Sequence, residues 1–73
     1  MSEVTLDQYG QPSFETLVHL YQTAEMSRNP FDISRLRLYR FAKTTWIHTE
    51  ENNLRFQIDN LLDEMGEGIY GNQ

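Results

Sequence analysis

Pro12 and Pro30 constrain this chain more than any other residues, because each lacks a backbone N–H and neither fits the interior of a helix or of a paired strand. With Gly66 they cut the sequence into a polar lead-in (1–12), a core of three apolar segments (13–65) and a tail (66–73). In the first segment Pro12 acts as a stop and Ser13 as an N-cap, and Glu15 falls in the first turn, where the helix dipole favours an acid. Phe14, Leu17, Val18, Tyr21 and Ala24 follow at 3–4 spacing and predict a helix with one apolar stripe. Ser27-Arg28-Asn29-Pro30 ends it, since Pro30 pushes Asn29 out of the helical region.

The third segment carries the clearest pattern. Thr49 is its expected cap, Glu50 and Glu51 fill the first turn, and Leu54, Ile58, Leu61, Leu62 and Met65 form an apolar stripe before Gly66 stops the helix. Glu51, Arg55 and Asp59 succeed one another at i, i+4 on the expected outer face, each pair adding a few tenths of a kcal/mol. The central segment, 31–47, is ambiguous. Asp32 would cap a helix from Ile33, yet on a helical wheel Ile33, Leu36, Leu38, Phe41, Ala42 and Trp46 fall nearly all round. As a strand, Leu36 and Leu38 would oppose Arg35 and Arg37, but Leu, Arg and Ala favour helix, so 33–47 is expected to be helical. A helix apolar on several sides is either sandwiched or exposes a patch that something else covers.

Residues 1–12 alternate weakly, Val4 and Leu6 against Thr5 and Asp7, before Tyr9-Gly10-Gln11-Pro12 breaks the pattern. That reads as a short strand or a disordered arm, separable from the core, whose residues 1–9 can be removed with little cost to the fold. The tail, with glycines around Ile69 and Tyr70, is expected to be mobile. The fold expectation is therefore a mainly α, small three-helix domain with an extended N-terminal arm and a flexible C-terminal tail.

A chain of 73 residues forms one domain, 1–73, because proteins of this size bury only roughly 60% of the surface their unfolded form exposes. With no cysteine there is no disulfide, thiol nucleophile or thiolate zinc site, which fits a reducing cytoplasm. Met1-Ser2-Glu3 lacks the layout of a signal peptide and no apolar run approaches the ~18 residues of a membrane span, so a soluble protein with no membrane partner is expected. A net charge of −5 opposes general nucleic-acid binding, and no direct nucleic-acid partner is expected.

Chemistry-bearing patterns are sparse. Glu15 and His19 stand one helical turn apart, but two ligands do not make a metal site and His48, the other imidazole, falls in a loop. Asp59, Asp63 and Glu64 look solvated rather than poised for acid–base work. No phosphate loop, nucleophile elbow or zinc-spaced motif occurs. No catalytic, metal-binding or cofactor-binding residue is expected, and the protein is expected not to be an enzyme. What stands out is charge sorting: Arg35, Arg37, Arg40 and Lys43 fall within one short stretch, interleaved with Tyr39, Phe41 and Trp46, while acids dominate the flanks. Arginine and aromatic residues anchor protein and nucleic-acid interfaces alike, and they serve equally well paired to a protein's own acids and buried in its core. Asp63, Glu64 and Glu67 oppose the dipole at the end of the third helix, which an external basic partner or plain solubility would explain. The candidate partner-binding residues are Val4, Leu6 and Tyr9 as apolar anchors on the arm, and Arg35, Arg37, Arg40, Lys43 and Trp46 in the basic segment.

The opening Met1-Ser2-Glu3-Val4-Thr5-Leu6-Asp7-Gln8-Tyr9, the stretch Arg35 to Trp46, the absence of cysteine and the length together resemble the small phage-encoded transcription regulators, of Xanthomonas phage type, that bind host RNA polymerase. The resemblance implies a non-enzymatic protein in the cytoplasm of a bacterial host. It would attach to the N-terminal part of the largest polymerase subunit, inhibit initiation by weakening the hold of the sigma factor, and promote antitermination. Two rivals remain from the residues: a helix-turn-helix DNA binder reading with 35–43 or the third helix, and an assembly subunit whose central segment is covered by a second copy.

Overall fold

The computed structural model describes residues 4–47 and 49–67. The described residues form three α-helices, α1 (Phe14–Ser27), α2 (Pro30–Ala42) and α3 (Thr49–Leu62), the last running on into a π-helical turn, Asp63–Glu67. The mainly α, three-helix expectation is met, and no strand longer than a single bridge occurs among the described residues.

α1 begins as its sequence dictates. Ser13 holds an extended backbone and its hydroxyl accepts the Thr16 N–H at 3.1 Å, satisfying one of the orphan donors of the first turn. The helix ends at Arg28, which adopts the left-handed conformation (φ 52°) while its N–H donates to the Ala24 carbonyl at 2.8 Å. α2 then starts three residues earlier than the Asp32 cap would place it. Asn29 is the N-cap, its side-chain oxygen accepting the Phe31 N–H at 2.7 Å, and Pro30 takes the first helical position, where its missing N–H has no consequence. Asp32 instead sits in the first turn and accepts the Ser27 hydroxyl at 2.8 Å. At its other end α2 stops short of 47: Lys43 swings to an extended backbone (φ −89°, ψ 111°), so Thr44 to Ile47 form a non-helical link and Trp46 is off the helix.

The core gathers Leu17, Leu20 and Ala24 of α1, Ile33 and Leu36 of α2, and Leu54, Ile58, Leu61 and Leu62 of α3. Phe14, Val18, Tyr21, Tyr39, Trp46 and Met65 close its margins. Glu51 departs from the expected solvent ladder along α3. It is buried, and its carboxylate accepts the Ile47 N–H at 3.2 Å, tying the link to the helix start. Asp59, the ladder's other acid, faces α2. Thr49 opens α3 rather than preceding it, and Gly66 lies within the π-helical turn instead of ending the helix. His48 and the tail expectation for 68–73 lie outside the described residues, as do Met1, Ser2 and Glu3.

The lead-in is not a separable arm from Thr5 onward. Asp7 organises it into a tight loop: one carboxylate oxygen accepts the N–H groups of Tyr9 and Gln11, each at 2.9 Å, and the Gly10 N–H closes a turn on the Asp7 carbonyl. Gly10 takes φ 76° there, a value a side chain would strain. A single antiparallel bridge joins Leu6 to Pro12. Thr5 exchanges hydrogen bonds with the Thr16 hydroxyl, and the Gln11 side chain binds Thr44 and Thr45 in the α2–α3 link. The loop thus fastens the start of α1 to the end of α2.

Candidate functional site

An α-helix turns about 100° per residue, so neighbours in a basic segment are dealt to different faces. On α2 the inner face belongs to Ile33 and Leu36. Arg40 follows on that side, and its guanidinium forms a two-point contact with Asp59 of α3, the closer at 2.7 Å. Lys43, just past the helix, is only 2% exposed; its ammonium donates to Asp7 at 2.7 Å and lies 3.8 Å from Glu51. Trp46 is half-buried between these two cations, 5.8 Å from the Arg40 guanidinium and 5.6 Å from the Lys43 ammonium. Arg40, Lys43 and Trp46, expected at a partner interface, are therefore engaged within the domain, the two cations by acids of α3 and the Asp7 loop and the indole by the two cations.

The Lys43 ammonium, helped by the Gln11 and Tyr9 N–H groups, holds the Asp7 carboxyl below the usual carboxylate range against the opposing effect of burial. Burial, with the Glu25 and Glu64 carboxylates, pushes the Tyr21 hydroxyl above its ordinary value and keeps it neutral. At the far end of the domain Arg28 approaches Glu64 at 3.5 Å, an exposed pair that offsets part of the charge gathered after α3.

The remaining candidates face outward. Arg37 is exposed, and the half-buried Arg35 lays its guanidinium over the Phe31 ring at 6.0 Å. Between these two arginines on the helix surface run Phe31, Leu38 and Phe41, exposed by 69%, 63% and 78%. Ser34, Arg37, Leu38 and Phe41 line a shallow hollow in this face. The helical wheel shows apolar residues all round this segment, but only the packing tells which of them the core leaves out; Phe31, Leu38 and Phe41 are missing from the sequence-derived candidates for that reason. On the other side of Arg35, a cleft of about 280 Å³ between α1 and α2 is lined by Glu15, Thr16, His19, Thr23 and Tyr39, with Val4 and Thr5 at its edge. Val4, Leu6 and Tyr9 are all exposed, Leu6 and Tyr9 within the hydrogen-bonded loop and Val4 just ahead of it.

Among the described residues no group of three or more His, Cys, Asp or Glu is placed to hold a metal ion. Among the same described residues no helix is long and apolar enough to cross a membrane. Comparison with known proteins finds no matching family model, no matching curated protein and no matching solved structure.

Proposed function

We propose that this chain is a non-enzymatic interaction protein acting on bacterial RNA polymerase, at the N-terminal part of its largest subunit, where it inhibits initiation by sigma displacement and promotes antitermination. The partner, the mode of action and the bacterial cytoplasm as the place of action come from the resemblance to small phage transcription regulators. The observation that supports an interaction role is the outer face of α2. Three large apolar side chains stand exposed on one helix face of a domain whose core is already closed on the other, and an apolar patch rimmed by arginine is the composition of a protein interface.

A helix-turn-helix DNA binder is favoured by one feature, the two-residue joint Arg28–Asn29 that leads α1 into an α2 carrying Arg35 and Arg37. Against it, the groove-facing side of such an α2 would present Phe31, Leu38 and Phe41, and the net charge of −5 repels phosphate. Titrating the full chain against purified RNA polymerase, with and without sigma factor, and against a short duplex tests both readings. Polymerase binding with sigma release and negligible duplex binding at ~150 mM salt is expected. Salt-sensitive duplex binding with no polymerase binding would hand the case to the DNA binder.

A further inference from the structure

We infer that the cleft between α1 and α2 is a binding site for a short unblocked peptide of about three residues, its ammonium held by Glu15 and its carboxylate by Arg35. This site is separate from the polymerase reading and does not depend on it. The cleft encloses about 280 Å³, just below the range that holds drug-sized molecules, which suits a ligand this small. Leu20, buried, and Tyr39, half-buried, give it an apolar middle. Its polar side chains are unspent. Among the described residues the side chains of Glu15, His19, Thr23 and Tyr39 make no hydrogen bond or ion pair, and the Arg35 guanidinium meets only the Phe31 ring, at 6.0 Å. Glu15 and Arg35 thus line one cleft without neutralising each other, and each charge is left for something else to meet.

Position along the helices sets the spacing of the two charges. α1 and α2 are joined by Arg28–Asn29 alone and share a core, so Thr23 and Arg35, five and six residues from the joint, stand at one end of the cleft. Glu15 and Tyr39 stand at the other, where Thr5 is bonded to the Thr16 hydroxyl. Glu15 to Thr23 is eight residues of α1, about 12 Å of rise. A tripeptide extended at ~3.3–3.6 Å per residue carries its terminal charges roughly 10 Å apart, which matches that span. A free amino acid, with both charges on one carbon, reaches only one end. Phosphate would satisfy Arg35 but set a second negative charge in the cleft with Glu15. His19, midway between Glu15 and Thr23, and the Thr23 hydroxyl can each donate or accept, as the amide groups of a peptide require.

The test titrates the full chain, isotope-labelled, with the tripeptide Ala-Leu-Ala, its N-acetylated form and its C-amidated form. The free tripeptide is expected to shift amide resonances within 15–23 and 35–39 and to bind with a Kd on the order of a millimolar, as a ligand of few atoms does. Blocking either end should weaken binding by about three- to fivefold, the scale of a partly exposed ion pair. In a Glu15→Gln variant acetylation should cost nothing further, and in an Arg35→Gln variant amidation should cost nothing further. Each comparison is made within one variant, so a general loosening of the fold does not imitate it. Free and blocked peptides that bind alike overturn the inference, as do shifts centred outside 15–23 and 35–39, or the absence of a saturable shift up to ~20 mM peptide. A blocking penalty that persists unchanged in the matching variant overturns it too. Inorganic phosphate that moves the same amides and displaces the tripeptide overturns it in favour of a plain anion site.

Discussion

Leu36 and Leu38 stand two residues apart on α2, and Arg37 and Lys43 belong to one basic segment, yet each pair is divided between interior and surface. Leu36 is enclosed by the core and Leu38 is largely in solvent; Lys43 is enclosed between two carboxylates and Arg37 is exposed. A cluster of like residues in sequence is thus not a cluster in space. The helix deals them out by angle, and at Lys43 the change to extended backbone deals once more. The part of the segment that looks most suited to a partner by charge, Arg40 to Trp46, is what holds α2, α3 and the Asp7 loop together, whereas the part left for a partner is defined by its apolar residues.

The sharpest way to break this division is with one residue type at two positions. Leu36→Ala empties a fully enclosed site and is expected to cost about 3 to 4 kcal/mol, a large share of the stability of so small a domain. Leu38→Ala should stay within about 0.5 kcal/mol of the parent, as exposed substitutions do. Urea unfolding of both variants checks the pair; equal midpoints would mean that α2 is rotated from the orientation described.

The cations give the next largest contrast. Lys43→Ala leaves Asp7 and Glu51 facing each other across a buried gap, and about 3 kcal/mol is expected, the lower end for breaking a buried pair because both carboxylates keep some contact with water. Arg37→Ala, at an exposed position, should cost no more than about 1 kcal/mol, the most that an exposed charged contact is usually worth. Thermal unfolding that ranks the two alike would show that Lys43 is not enclosed.

Deleting residues 1–9 carries the same contrast to the lead-in. It removes Asp7, so the Lys43 ammonium keeps only Glu51, and it removes the turn that places Gln11 on the α2–α3 link. A fall in the thermal midpoint of about 10 °C or more is expected, since ~1 kcal/mol moves a domain of this size by several degrees. An unchanged midpoint would restore the lead-in as a free arm and Val4, Leu6 and Tyr9 as anchors at its disposal.

Local chemistry was legible in the sequence wherever it acts over one helical turn. The Ser13 cap, the α1 stripe and the α3 stripe of Leu54, Ile58, Leu61 and Leu62 are all in place. Asn29-Pro30 carries a readable signal as well, an N-cap followed by proline at the first helical position, although the same proline serves equally as the stop of the preceding helix. What the sequence could not carry is pairing across distance. Lys43 is fixed by Asp7, 36 residues away, and Arg40 by Asp59, 19 residues away. Both separations lie far beyond the few residues over which helix or strand periodicity brings side chains together, so the same cations read equally as a docking surface. Within the basic segment Arg40 and Lys43 pair with acids of other elements while Arg35 and Arg37 lie on the outer side of α2, and the exposure of Phe31, Leu38 and Phe41 becomes apparent only once the core shows what it excludes.

The smallest effect expected is a dependence on acid. Asp7 is held below the ordinary Asp value of about 3.9 chiefly by Lys43, so its contribution to stability is fully present above that value and is lost as pH falls through the lower value of the folded state. Below both values the carboxyl is protonated in folded and unfolded chains alike, and the contribution is gone. The chain carries eleven acidic side chains, so the parent's melting curve alone does not isolate this one. The difference between the parent and an Asp7→Asn variant does: the parent's midpoint should be the higher at pH 7, the gap should hold down to about pH 5, and it should then narrow as acid protonates Asp7 in the parent only. Two curves that run parallel from pH 7 down to about pH 2 would mean that Asp7 acts through its turn hydrogen bonds to Tyr9 and Gln11, which the amide oxygen of asparagine also accepts, and that the buried ammonium draws its compensation from Glu51.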